Sequence, residues 1–242
     1  MVRYRECMEQ IELRGVTLAF SKGRNRVVAV TNINLALPKG TFLSITGASG
    51  SGKSALLRLF GGLEKPSAGT VWLNGKDPWR MNFLKRRRFC RETIAHVPRS
   101  LDVRRYRTAL DVVVKNSPAK LDKEAKRRHA AEMLDRVGLA PRTSHRPFTL
   151  SGGEQRRLAL ARALAADRPI ILAEEPTGQV DPTTARALLA LIREINEASH
   201  TTFVVVTDDE SLAREATRSI RLEEGRVAYD HTRTFAPLGQ RL

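Results

Sequence analysis

At 242 residues, with 41% hydrophobic and 5% aromatic content, the chain can bury a real core as one large domain or one domain with an inserted subdomain. That composition excludes a disordered chain, and no stretch nears the ~20 apolar residues of a membrane-spanning helix. The net charge of +16 leaves three readings open: a phosphate-backbone binder, a surface held near anionic lipid, or a solvated basic face.

The opening MVRYRECMEQ lacks a signal peptide's apolar segment, and Cys7 and Cys90 form no CxxC. The expectation is a protein facing the cytoplasm with free thiols. QIELRGVTLAF and VVAVTNINLALP alternate as strands, and Pro38-Lys39-Gly40 turns the chain into TFLSIT, a short buried strand. That strand runs into GASGSGKSALLRLFGGL, a glycine loop followed by a helical pattern, and GTVWLNGKD gives another strand. From about Asn82 the pattern turns helical and basic. Between Lys76 and Arg107 stand eleven Lys/Arg against three acids, a net +8. Ala130, Leu134 and Val137 recur at helix spacing in LDKEAKRRHAAEMLDRVGL. EQRRLALARALAAD is helical, PIILAEEP a strand, TTARALLALIREINEAS an amphipathic helix, and TFVVVT a strand buried on both faces. A short helix and a hairpin around Glu224-Gly225 follow. Strands alternating with helices predict a mostly parallel α/β sheet, with residues 83–160 as a helical insertion.

Gly47-Ala48-Ser49-Gly50-Ser51-Gly52-Lys53-Ser54 fits GxxxxGK[ST] between a strand and a helix, the phosphate loop of P-loop NTPases. Its glycines let backbone N–H groups turn inward around phosphate oxygens, and the helix that follows points its positive end at the same anion. Lys53 would reach the β- and γ-phosphates, and the Ser54 hydroxyl would hold Mg²⁺. The loop predicts nucleotide binding without naming a reaction.

Leu150-Ser151-Gly152-Gly153-Glu154-Gln155 reads locally as a Ser N-cap with Glu three residues on, a capping box. Placed between the P-loop and PIILAEEPTGQVD, it also closely resembles the signature of ATP-binding-cassette (ABC) ATPases. The resemblance runs from about Gln10 to Tyr229. The phrases SGSGKSALLRLFGGLEKPSAGTV, RVGLAPR and AEEPTGQVD resemble subunits of the lipoprotein-releasing, macrolide-export and cell-division type.

The resemblance implies a P-loop NTPase core with a mostly parallel sheet, an N-terminal antiparallel β subdomain and an inserted helical subdomain. The implied division is a core in residues 1–82 and 161–230, the helical part in 83–160 and a tail in 231–242. It implies two cassettes sandwiching ATP with Mg²⁺, so that Ser151, Gly152, Gly153 and Glu154 face nucleotide on a partner's P-loop. Phe20 falls at the adenine-stacking aromatic, although a core Phe closing a strand is an alternative reading there. Glu175 falls at the catalytic base, Glu174 at the residue that reaches Mg²⁺ through water, and Asp181 at an acid coupling the two sites. IAHVPRSLDV matches the loop that senses the γ-phosphate and contacts the membrane partner. Implied partners are integral-membrane, permease-like subunits and a second ABC subunit, in a homo- or heterodimer at the cytoplasmic face of the plasma (inner) membrane. Nucleic acid is not expected, since DNA-associated relatives carry coiled-coil or zinc insertions and none is present.

Four positions depart from the family pattern. Arg99 replaces a Gln in the sensing loop, Glu174 an Asp, Asp208 the switch His, and Ala55 a phosphate-contacting Thr. A carboxylate ~4 Å from a phosphate charge costs about 4 kcal/mol at an effective dielectric of ~20, more than an ordinary hydrogen bond contributes. The expectations are ATP binding with slow turnover and an Arg99–Asp208 ion pair that ATP competes to open. The alternative is a non-hydrolysing regulatory subunit or the degenerate half of a heterodimer.

Overall fold

A computed structural model describes residues 9–22, 25–102, 106–178 and 180–233. Cys7, two arginines of the basic stretch (Arg104 and Arg105) and most of the 231–242 tail lie outside the described residues. Strands β1 (Ile11–Lys22), β2 (Asn25–Leu37) and β4 (Ala68–Leu73) form an antiparallel sheet in the order β2-β1-β4. A second sheet has the order β5-β6-β7-β3-β8-β9, made of β3 (Phe42–Thr46), β5 (Ile94–Val97), β6 (Ile170–Glu174), β7 (Thr202–Val206), β8 (Arg218–Glu223) and β9 (Arg226–Thr232). Its first five strands are parallel; β9 returns antiparallel through Glu224 and Gly225, both at positive φ as a tight hairpin turn requires.

The parallel sheet is covered on both faces, which explains the unbroken apolar run of β7. Val204 and Val206 join one core with Ile45, Phe60 and the antiparallel sheet's Ile11 and Leu13. Phe203 and Val205 point the other way, into a core with Phe42, Ile192, Val112, Leu134 and Leu158. Phe42 and Phe203 meet edge to face at 6.3 Å. Seven helices connect the strands among the described residues: α1 (Lys53–Phe60), α2 (Phe83–Thr93), α3 (Ala109–Val114), α4 (Lys123–Arg136), α5 (Gly152–Ala165), α6 (Pro182–Ser199) and α7 (Glu210–Glu215). Ala130, Leu134 and Val137 are buried as their spacing predicts, where α3, α4 and α5 pack together. The span expected to be a helical insertion also carries β5, which pairs with β6 as an edge strand of the parallel sheet.

Strand register brings the candidate residues to one edge. Val97 lies opposite Ala173, Glu174 opposite Val206, and Val206 opposite Ile45. The strands run in one direction, so Arg99, Glu175, Asp208 and the glycine loop all emerge at the same carboxyl edge, where open α/β sheets bind ligands.

Candidate nucleotide site

The loop after β3 is shaped by its glycines. Gly47 and Gly52 hold φ of 145° and 101°, and a Cβ on either would lie 2.3 or 2.2 Å from a backbone oxygen, of Leu222 or Ala29. No other residue type fits without displacing a strand. Ala48, Ser49 and Gly50 are exposed at the tip, with the Ser51 N–H donating to the Ala48 oxygen at 3.1 Å. The Ser51 hydroxyl is buried beside Gly47 without a hydrogen-bond partner. Helix α1 starts at Gly52 with no side-chain cap and no acid in its first turn, so its N-terminal N–H groups stay available for an anion.

Lys53 is buried, and its ammonium donates to the Gly47 and Ala48 oxygens at 2.5 and 3.0 Å. Its third contact is an ion pair with Asp208 at 2.8 Å. This corrects the expected partner: Asp208 pairs with the P-loop lysine and not with Arg99. Strand order is the reason, since β7 lies directly beside β3 but two strands from β5, which Arg99 follows.

The exposed Ser54 hydroxyl donates to Glu174 Oε1 at 2.8 Å, so the side chain that is one methylene longer than the family's Asp reaches the P-loop serine directly. Two hard oxygen donors at the mouth of a phosphate loop fit Mg²⁺, which takes few protein ligands and completes its shell with phosphate and water.

Glu175 follows at φ 47°, the left-handed region that a non-glycine residue rarely occupies. The turn is held because its N–H donates to the Val206 oxygen at 2.8 Å and its carbonyl accepts from Gly178 at 3.0 Å. The half-buried carboxylate accepts from the Thr207 hydroxyl at 3.2 Å. Burial, then the charge of Asp208, pushes its pKa above the ordinary value; the Thr207 bond and the Arg99 cation oppose the shift. Thr207, fully buried, was not picked out from the sequence, though its place at the end of the VVVT strand was the available signal.

Phe20 is about one-third exposed at the end of β1 and lines a cavity of about 480 Å³ with Ser54, Ala55, Arg58 and Glu174. That places an aromatic face beside the P-loop helix, rather than in either core. Arg99 lines a second cavity of about 150 Å³ with Gly152 and Arg156. Its carbonyl accepts from the Arg156 guanidinium, a cation of the signature helix that sequence reasoning did not single out.

At the start of α5, Ser151 accepts from the Glu154 N–H at 3.2 Å and Glu154 accepts from the Ser151 N–H at 2.9 Å, the capping box read from the sequence. Arg142 pairs with Glu154 at 2.9 Å. Those two contacts hold the Glu154 carboxyl below the usual range, the Ser151 N–H chief among them. Ser151 and Gly152 are exposed, while Gly153 packs so closely on α6 that a Cβ would lie 3.0 Å from Thr184. Asp181 is the N-cap of α6, accepting from the Thr183 and Thr184 N–H groups at 3.0 Å and from the Thr184 hydroxyl at 2.6 Å.

A glycine cradle, a lysine, a Ser–Glu pair and a second glutamate at the carboxyl edge of a parallel sheet define a P-loop nucleotide-binding protein. The family description "ABC transporter" matches residues 30–178, and the chain belongs to that family. The lipoprotein-releasing system ATP-binding protein LolD of Myxococcus xanthus is 38% identical over 91% of this chain and 99% of its own length. The macrolide export ATP-binding/permease protein MacB 2 of Yersinia pestis is 36% identical over 93% of this chain, which spans only 33% of that relative. Among solved structures, the ATP-binding cassette MJ0796, a dimer in a post-hydrolysis state bound to ADP and Pi, superposes with a TM-score of 0.85 at 35% identity, covering 93% of this chain and all of that one. The antiparallel sheet, parallel core and helical part are therefore those of an ABC ATPase cassette.

Proposed function

We propose that the chain is the ATP-binding subunit of a membrane transporter or force-transmitting complex, which binds ATP and hydrolyses it slowly to drive separate permease-like subunits. Binding and chemistry divide among named residues. The Gly47–Gly52 N–H groups and the N-terminus of α1 hold the phosphates, and Phe20 stacks on the base. Lys53 turns from Asp208 to the β- and γ-phosphates. Glu175 takes the proton of the attacking water, and burial, which raises its pKa, makes its carboxylate a stronger base. Ser54 and Glu174 would hold Mg²⁺, which supplies charge neutralisation at the phosphates. Ser151, Gly152 and Gly153 of a second copy or a paralogous subunit close the site, with Asp181 beside them. The helical part (residues 83–160, apart from β5) would move against the core, placing the chain peripherally at the cytoplasmic face of the membrane.

The single observation carrying this reading is the cluster at the ends of β3 and β6: Lys53 in the loop cradle and Ser54 hydrogen-bonded to Glu174, with Glu175 next along the chain. Slow turnover is supported by Asp208, whose carboxylate stands on the lysine that the phosphate needs. The same ion pair favours a second reading, a regulatory subunit that binds ATP without hydrolysing it. Phosphate release with Glu175→Gln as control separates them: loss of turnover in the variant supports the first reading, and no turnover in either protein supports the second.

A further inference from the structure

Helix α2 has no role in the nucleotide site, yet it carries an unusual surface. Phe83 and Leu84 in its first turn are 62% and 75% exposed, adjacent large apolar side chains open to solvent. Leu84 and Arg91 are seven residues apart and so share a face, with Arg87 and Arg88 between them on the same stripe; all three arginines are largely solvent-facing. The nearest acid, Glu92, is held by Arg88 at 2.9 Å. Arg86 turns inward instead, its guanidinium 4.2 Å over the Trp79 ring, so the outward cations are not a by-product of packing.

The stripe leads to a cavity. Arg91 and Glu92 line a space of about 520 Å³ together with Lys115, Ser117, Arg162 and Arg168, among apolar residues of β5 and α5. Arg162 is held by the His96 carbonyl at 3.0 Å, which leaves Arg91, Lys115 and Arg168 beside one carboxylate. Ser117 is 8% exposed, and its hydroxyl is buried without a hydrogen-bond partner. The cations outnumber the carboxylate in this hollow, which suits an anionic oxygen.

We infer that this surface docks on an anionic phospholipid bilayer, with Phe83 and Leu84 entering the headgroup boundary, the Arg87–Arg88–Arg91 stripe on the lipid phosphates and the cavity receiving one headgroup. Charge complementarity selects the occupant. A nucleic-acid duplex would use the arginines but leave the two apolar side chains in water, whereas a bilayer interface uses both. Docking of this kind is independent of the nucleotide chemistry and is read without ATP.

The test is sedimentation of the full chain with phosphatidylcholine vesicles with and without phosphatidylglycerol. Each removed cation weakens binding about fivefold. Arg87→Gln/Arg88→Gln/Arg91→Gln is thus expected to lose about a hundredfold on anionic vesicles, and Lys115→Gln/Arg168→Gln about twenty-five-fold. Phe83→Ser/Leu84→Ser is expected to remove the binding that survives high salt. A charge-matched control on α4, Lys123→Gln/Arg127→Gln/Arg128→Gln, is expected to lose only a few-fold, and MgATP binding reports that each variant is folded. Equal losses in the α2 and α4 triple variants would overturn the inference, as would equal binding to neutral and anionic vesicles. Binding of a DNA duplex that depends on the α2 arginines, with vesicle binding that does not, would overturn it too.

Discussion

Replacing Asp208 by Asn should tighten ATP binding, and the structure sets the size of the effect. The Asp208 side chain is 67% exposed while its partner Lys53 is 9% exposed. Breaking a pair that is open to water on one side costs ~1 kcal/mol. Once Lys53 has moved to the phosphate, the carboxylate remains about 6 Å from it, by the reach of the two side chains. At an effective dielectric of ~40, suited to that exposure, the repulsion is about 1.4 kcal/mol. The sum of about 2.4 kcal/mol corresponds to about fiftyfold in Kd. The 4 kcal/mol expected at a dielectric of ~20 is too large because Asp208 is mostly solvated. The assay is calorimetric titration of MgATP into Glu175→Gln and into Glu175→Gln/Asp208→Asn, a background that stops hydrolysis. Unchanged or weaker ATP binding in the double variant would refute the reasoning, since Asp208 would then not compete with phosphate for Lys53.

The same geometry sets three other outcomes. Glu174→Ala, by removing the acceptor of the Ser54 hydroxyl, should raise the Mg²⁺ concentration needed for ATP binding by about 10- to 100-fold, read by titrating Mg²⁺ at fixed ATP. Glu175 has a raised folded-state pKa, so its stabilising contribution is present below the ordinary carboxylate range and is lost as pH rises through the raised value. Glu175→Gln should therefore melt above the wild type at neutral pH and lose that advantage in acid, as thermal scans at the two pH values would show. Asp181→Ala should cost about 1 kcal/mol through the lost α6 cap, seen as a lower midpoint in urea, whereas Asp181→Asn should retain most of it.

Much of this was legible in the chain. The phosphate loop was, because its glycines specify a backbone shape that only such residues adopt, and Gly47 and Gly52 leave no room for a Cβ. The capping box at Ser151 was, because it is a local exchange of hydrogen bonds over four residues. The alternating cores of β7 were, because valines on both faces imply cover on both. The partner of Asp208 was not. It depends on strand order, and a linear pattern does not tell that β7 inserts between β6 and β3 and so delivers Asp208 to Lys53 rather than across two strands to Arg99. Strand β5 was too short, at four residues, to stand out from the charged helices around it. Asp181 carried a structural duty as an N-cap that the resemblance did not bring forward.

Slow ATP hydrolysis through Glu175 is the property on which the proposed function stands or falls. It is measured as steady-state phosphate release by the chain, alone and together with the permease-like subunits proposed for it, wild type beside Glu175→Gln. Slow release by the wild type and its loss in the variant are expected. Equal release from both would contradict the assignment of Glu175 as the base.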